Sequence, residues 1–387
     1  MIVRDILWSG GRILKKYFFF FVMVFVLNAC SMAELEANPN PTRTMDSSVP
    51  KELPPSFLER TNILPFPNVS FSFVEIIDWY NEDHILYLEE SDERSYVYMY
   101  HLFTGTSELL FETDGWIVDL KSNVDQSLFA IQTYSTDNKT SLVVINEEGQ
   151  TKRIIEDLGE EYSVFWNSYD PTSMVLISFL PDWKFVAYHL DVTEDQLTEV
   201  DLTHPYVQWL SESTFAYLDW DEFEPSYHAP LVIYHTDTKE TTEWQEEVIA
   251  FASFTNELSL AVTVQSPDSL YSTYTFYQNQ EPYRKIEMPI LNTYSEQWWV
   301  PFYTYDSVNN VFYYLRPKYS SDYFSYEDGY ELVAYDVKED SERKITTFDQ
   351  HEPLSVSPSG DAVLIGNRYE RIYDVDRGNM IYLLEDE

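Results

Sequence analysis

One pattern recurs along most of the chain: a strand, a turn, a stronger strand, a turn, a strand ending in a polar hairpin, and a last amphipathic strand. It is plainest in Trp116–Gly159 and Val248–Leu291, and the other copies begin near Val74, Glu160, Tyr206, Trp298 and Glu352, at intervals of about 36 to 54 residues. Within each copy short runs alternate apolar and polar residues, as in His84–Leu88, Ser95–Tyr100, Ser127–Ile131 and Ser141–Ile145. Polar turn segments such as Glu89–Arg94, Asp137–Lys139 and Asn146–Gly149 bound them, which is the signature of half-buried strands. One such unit alone would leave an apolar sheet face in water, whereas units packed radially cover each other's faces. The repeat therefore predicts an all-β fold: a single β-propeller over residues 57–387, with seven blades of four antiparallel strands and six as the alternative. No amphipathic helix is expected in that stretch. Tyr, Phe and Trp make up 17% of the chain and supply the packing between units, since each ring buries about 150–250 Å². Only ten glycines are present, so Asn and Asp are expected to occupy several of the left-handed turn positions that tight hairpins require.

The N-terminal region is different in kind. Arg4, Arg12, Lys15 and Lys16 precede an unbroken apolar run, Tyr17–Leu27, followed by Asn28, Ala29 and Cys30. A basic segment, a short apolar core and a small residue before the cleavage point form a secretion signal. Eleven apolar residues fall short of the roughly 20 that a membrane-spanning helix needs. Leu27-Asn28-Ala29-Cys30 resembles the lipobox of bacterial lipoproteins. That resemblance implies signal-peptidase recognition through Leu27 and Ala29 and acylation of Cys30 with palmitate-type chains. Cys30 is the only cysteine in the chain, so it has no partner for an internal disulfide. The expected division is a signal peptide at 1–29, a lipidated cysteine with a flexible tether at 30–56, and the propeller at 57–387. The tether carries Asn38-Pro39-Asn40-Pro41, Val49-Pro50 and Pro54-Pro55 with few bulky apolar residues, a composition that stays extended.

Charge narrows the function classes. The chain carries a net charge of -42, and because the signal segment is basic, the part from Cys30 onward is more acidic still. An acidic surface repels nucleic acid and anionic lipid headgroups. The acids are spread along the chain rather than clustered, which reads as a solvated coat.

Candidate chemistry is sparse. The seven histidines (84, 101, 189, 204, 228, 235 and 351) show none of the close spacings of metal sites. There is no Gly-x-Ser-x-Gly elbow and no Gly-rich phosphate loop. Asp219, Asp221, Glu222 and Glu224 form the densest acidic run. Alternating carboxylates on a loop are a weak candidate for Ca²⁺, but the turn glycine of a calcium loop is missing, and an acidic solvated hairpin is the default. Asp322–Glu331 is a second such loop. Trp298-Trp299 with Tyr303 and Tyr305 offers either a platform for a sugar or peptide or an innermost strand packed into its neighbour, with the strand favoured.

Ser355–Ile365, with its Ser357-Pro358-Ser359-Gly360 turn, resembles the junction between the first two strands of a blade in TolB-like and WD40-like propellers. Asn146–Gly149 and Asp191–Gln196 resemble their outer hairpins. The lipobox, the proline-rich tether and one propeller of this length are together similar to the YqgU-like lipoproteins of Gram-positive bacteria. The resemblance implies a membrane lipoprotein facing outside the cytoplasm. Because no catalytic constellation is present, the expected function is binding a protein of the cell envelope. The chain is expected to be a monomer, without cofactor, nucleic-acid partner or catalytic residues. The alternative is a sensor lipoprotein for a small molecule, a glycan or Ca²⁺. A propeller enzyme ranks last, because no catalytic motif is present.

Overall fold

The computed structural model describes residues 62–66, 70–181, 184–194, 197–221, 226–292 and 298–384. The calls on Leu27, Ala29, Cys30 and the tether lie outside these residues, as do Glu222 and Glu224. Thirty strands and no α-helix occur among the described residues, and Arg60–Glu387 forms one unit.

The strands assemble into consecutive antiparallel modules, each paired in chain order. Module 1 spans Phe73–Asp114, module 2 Trp116–Glu156 and module 3 Glu161–Val200. Module 6 runs from Tyr303 to Phe348 and module 7 from Leu354 to Tyr382. Modules 4 and 5 share a strand. Thr241–Ser253 pairs through its first half with Ala229–His235 and through its second half with Leu258–Thr263. Val248 makes both pairings, opposite Ala229 and Thr263. Counted as four-stranded modules the ring has seven members; counted as continuous large sheets it has six, because modules 4 and 5 form one seven-stranded sheet. The two counts expected from the repeat describe the same chain.

Apolar residues at alternate strand positions bury into seven clusters, and each cluster joins two successive modules. Leu86, Leu88 and Val97 of module 1 pack on Leu120, Phe129 and Ile131 of module 2. The same holds for modules 2 and 3, 3 and 4, 4 and 5, 5 and 6, and 6 and 7. The seventh cluster closes the ring, with Trp79, Ile85 and Tyr100 of module 1 against Leu364 and Ile372 of module 7. No strand is exchanged at this seam: all four strands of module 1 precede those of module 2, and all four of module 7 come last. A short segment, Asn62–Phe66, bridges it instead. Leu64 N donates to Leu102 O (2.7 Å), Phe66 N donates to Leu383 O (2.9 Å), and the Phe66 ring stacks on Tyr100 at 4.1 Å.

A polar residue ends the first strand of each module and organises the following turn. Asn81, Asn123, Asn167, Ser211, Asp306 and Ser357 each accept a backbone N–H from their own turn. Thr255 holds the same place in module 5. Two residues before this cap the chain offers a carbonyl to a tryptophan of the next module. Trp166 Nε1 donates to Lys121 O (3.0 Å), Trp209 Nε1 to Phe165 O (2.9 Å) and Trp79 Nε1 to Ser355 O (3.0 Å). First strands are thereby tied edge to edge at three junctions, module 2 to 3, 3 to 4 and the last to the first.

Fourteen non-glycine residues have left-handed backbone, and half are the expected Asn or Asp. The two-residue hairpins Asp92-Glu93 and Asn279-Gln280 have both positions at positive φ, the geometry of a type I′ turn.

One expectation is corrected. Trp298-Trp299 is not part of an innermost strand. It pairs with Leu291-Asn292, which also runs parallel to Ser321-Asp322, in a small separate sheet. Pro301, which lacks an N–H for the ladder, separates it from the first strand of module 6, Tyr303–Asp306. Tyr303 and Tyr305 do pack between modules 5 and 6.

Candidate functional site

Antiparallel pairing puts the connections after the second and fourth strands of every module on one face of the ring. On that face modules 5 and 6 carry the longest connections. They are residues 290–302 between the modules and 318–329 within module 6, and their described residues, 290–292, 298–302 and 318–329, fold together as one lobe.

The lobe is held by backbone and hydroxyl contacts. Ile290 N donates to Leu270 O (3.0 Å) and Ser321 N to Ile290 O (3.1 Å). Ser320 Oγ donates to Leu270 O. The Tyr326 hydroxyl accepts from Lys318 N (2.8 Å) and donates to Gly329 O (2.6 Å), closing the 318–329 loop on itself. Tyr319 OH donates to Asp328, and Asp322 Oδ1 accepts from Ser325 N (3.1 Å) at a short 3₁₀ turn.

Inside the lobe, aromatic rings surround His351. The imidazole lies 4.1 Å from the rings of both Trp299 and Phe302 and 5.5 Å from Tyr330. Its Nε2 accepts from Phe302 N at 2.8 Å. Burial pushes His351 down to about 3, so the ring is neutral and an acceptor at ordinary pH. Burial also raises Tyr330 to about 12, with Tyr323 and Tyr326 adding to the shift. Below the lobe Arg316 is fixed between Glu331 (2.9 Å) and Glu342 (2.9 Å), and Lys344 shares Glu331 (2.8 Å). Lys344 first, then Arg316, hold the Glu331 carboxyl below the usual range against the opposing effect of burial.

Outside, the lobe stays apolar. Phe302, Tyr319 and Phe324 are 40%, 47% and 68% exposed, while Glu327 and Asp328 beside them are also exposed. Rings on a rigid base with an acidic border form a surface suited to docking, where aromatic anchors contribute most of the energy.

The other sequence candidates fall elsewhere. Asp219 lies in the corresponding loop of module 4, where it accepts from Thr203 Oγ1 (2.5 Å). Asp221 follows it on the same loop. No group of three or more His, Cys, Asp or Glu gathers at metal-binding range among the described residues. His84 and His101 face each other across paired strands at 4.4 Å. Ser173 and His189 approach to 2.8 Å, but Ser173 is 3% exposed and spans two strands beneath the surface. That pair lacks the access a nucleophile needs. Sequence reasoning singled out Trp298-Trp299 and the loop Asp322–Glu331 separately but did not join them or find His351, because the lobe's members come from three connections and His351 stands alone in the chain. The available signal was the density of aromatic residues in 290–302 and 318–330.

Residues 101–366 match the family described as the YqgU-like 6-bladed beta propeller domain. The stretch holds modules 2 to 6 entire, the last strand of module 1 and the first half of module 7. Over 355 residues the chain is 27% identical to "Uncharacterized lipoprotein YqgU" of Bacillus subtilis (strain 168), covering 91% of each. It superposes on uncharacterized protein lmo1340 from Listeria monocytogenes EGD-e with a TM-score of 0.75 at 18% identity, over 84% of this chain and 98% of that one. It also superposes on the beta-propeller domain of the Trilobed protease from Pyrococcus furiosus, described as having an open velcro topology. There the TM-score is 0.56 at 12% identity, over 81% of this chain and 97% of that one. The structural likenesses speak to fold alone. The extent of the family match, read with the ring of four-stranded modules, places this chain in the YqgU-like β-propeller family.

Proposed function

We propose that the chain is an extracytoplasmic lipoprotein, held at the cell membrane by acyl chains on Cys30, that binds a protein of the cell envelope through the aromatic lobe of module 6. The observation that carries the reading is the contrast within the lobe. Its interior is locked by Tyr326 and His351, yet Phe302, Tyr319 and Phe324 keep 40%, 47% and 68% of their surface exposed. Exposed rings grouped on one rigid lobe mark interaction surfaces. The border of Asp322, Glu327 and Asp328, within a strongly acidic chain, suits a partner that is basic at its docking patch. Two further supports are the lipobox resemblance of Leu27–Cys30 and the lipoprotein name of the 27%-identical relative. The role is non-catalytic.

In-cell crosslinking of the native protein, followed by mass spectrometry, tests the reading. A reproducible protein partner should be captured, with crosslinks confined to residues 290–302 and 318–329. The pair Tyr319→Ser with Phe324→Ser should abolish capture while leaving the thermal midpoint within about 2 °C, as expected for exposed positions. Capture that persists in this variant, or crosslinks spread over both faces, would refute docking on the lobe. Cys30→Ser should shift the protein from the membrane to the medium or leave it unprocessed; normal membrane retention would refute the anchor.

A further inference from the structure

The opposite face of the ring carries the turns that follow the first and third strands. There the turns of modules 3, 4 and 5 enclose a cavity of about 340 Å³, within the range of about 300–1,000 Å³ typical of small-molecule sites. It opens beside the inner ends of the first strands, away from the aromatic lobe.

Its walls have a distinct chemistry. Hydroxyls come from all three modules: Tyr169, Ser211, Thr214, Ser253 and Ser259. The rim adds the carboxylate of Glu257 and the amides of Asn279 and Gln280, while Leu210 and Leu258 supply an apolar patch. No Lys, Arg or His is among the lining residues. An anion would therefore meet a carboxylate and no compensating charge, which burial penalises heavily.

The wall is also incompletely satisfied. Ser253 Oγ is buried without a hydrogen-bond partner. Beside it stands the Tyr169 hydroxyl, which donates its own proton to Phe254 O at 3.1 Å. Two residues on, Thr255 Oγ1 is buried and unpartnered as well. A buried polar group left unpaired is costly, so the Ser253 hydroxyl in the wall calls for an explanation; Thr255, in the same turn, does not line the cavity. At the rim, Asn256-Glu257 and Asn279-Gln280 are tight hairpins with both positions left-handed, the geometry of type I′ turns.

We propose that this cavity is a binding site for an uncharged, polyhydroxylated small molecule of monosaccharide size. Such a ligand alternates donors and acceptors around an apolar ring face, and the wall alternates hydroxyls and amides around Leu210, Leu258 and the Tyr169 ring. Ser253 Oγ would gain in the complex the bond it lacks in the free protein. The site stands apart from the lobe and does not depend on its role.

Titration of the purified full-length protein by saturation-transfer NMR tests the proposal. The probes are glucose, galactose, N-acetylglucosamine and myo-inositol, with glucuronate and choline as charged controls. At least one neutral probe should bind saturably. Ser253→Ala should weaken that binding about 5- to 10-fold, the value of one lost neutral hydrogen bond. The same substitution should leave the free protein equally stable or more stable, because it removes an orphaned hydroxyl. Glu257→Gln at the rim should have a smaller effect. Flat responses to every neutral probe, equal binding of glucuronate, or unchanged affinity in Ser253→Ala would each overturn the assignment.

Discussion

Trp79 donates its indole N–H to the carbonyl oxygen of Ser355 at 3.0 Å, tying the first strand of the chain's first module to that of its last. The Ser355 hydroxyl returns the contact by donating to Asp78 Oδ1 at 2.6 Å. With no exchanged strand at this seam, these bonds and the cluster around Trp79 hold the ring shut. Trp79→Phe removes the donor and part of a ring that is 2% exposed. It should cost about 2–4 kcal/mol. Trp116→Phe, at a site 40% exposed, should change stability by no more than about 0.5 kcal/mol. Denaturant midpoints of the two variants check this, and equal shifts would remove the seam's special status.

Asp78 gives the seam a pH dependence. Burial raises its carboxyl above the usual value of 3.8, with the bonds from Ser355 and the Trp79 backbone working in the opposite sense. The folded state then binds more protons than the unfolded state above pH 3.8, so this group's contribution falls as pH rises through the folded value. Asp78→Asn keeps an acceptor for Ser355 and cannot ionise. Its stability relative to the native chain should increase as pH is raised above about 4 and level off once the folded value is passed. A constant difference across that range would show that the carboxylate is not destabilised by burial.

His351 works with the opposite sign. Its folded value is depressed from 6.5 to about 3. The unfolded chain therefore binds the extra proton first, and the group's stabilisation is complete above pH 6.5 and lost as pH falls toward 3. His351→Gln retains an acceptor for Phe302 N and should flatten the stability profile in that window. Paired chemical denaturation series at pH 7 and pH 4.5 would show it as a smaller drop than in the native chain.

Gly360 tests the close approach of modules 6 and 7. Its φ is +76° and a side chain there would collide with the Asp306 carboxylate, which caps its own turn through Val308 N and Asn309 N at 2.9 Å. Gly360→Ala should therefore cost about 2–3 kcal/mol, combining backbone strain with a disturbed cap. Gly378 has a similar φ of +66° but only Tyr373 Oη at 3.9 Å as a neighbour. Gly378→Ala should carry the strain alone, about 1 kcal/mol. Thermal midpoints of the two alanine variants separate the contributions.

How far the sequence could be read follows from the range of the interactions. Alternation within strands and the even spacing of turns are local, so the modules beginning near Trp116, Glu160, Tyr206 and Val248 were legible almost to the residue. Sharing of Thr241–Ser253 between two sheets was not, because a strand's second pairing edge leaves no mark on its own alternation. The polar cap ending each first strand was present in the sequence as Asn81, Asn123, Asn167 and Ser211, yet only the Ser357 turn stood out. Asn, Ser and Asp do the same capping work under different letters. Trp298-Trp299 misled because aromatic density was read as strand, although Pro301 already barred the ladder. The lobe and the hydroxyl-lined cavity depend on residues brought together from separate connections, and no period in a chain reports that.

The clamp at Asn62–Phe66 bears on how the domain responds to mechanical load. Tension reaching it along the backbone from the N-terminal side enters at the junction of module 7 with module 1, the one that joins the last strands of the ring to the first. It meets the Leu64–Leu102 and Phe66–Leu383 bonds and the stacked ring of Phe66 before it reaches any ladder of module 1. Those few contacts act as a fuse: they release first, and the strand pairing of the modules is spared until they do.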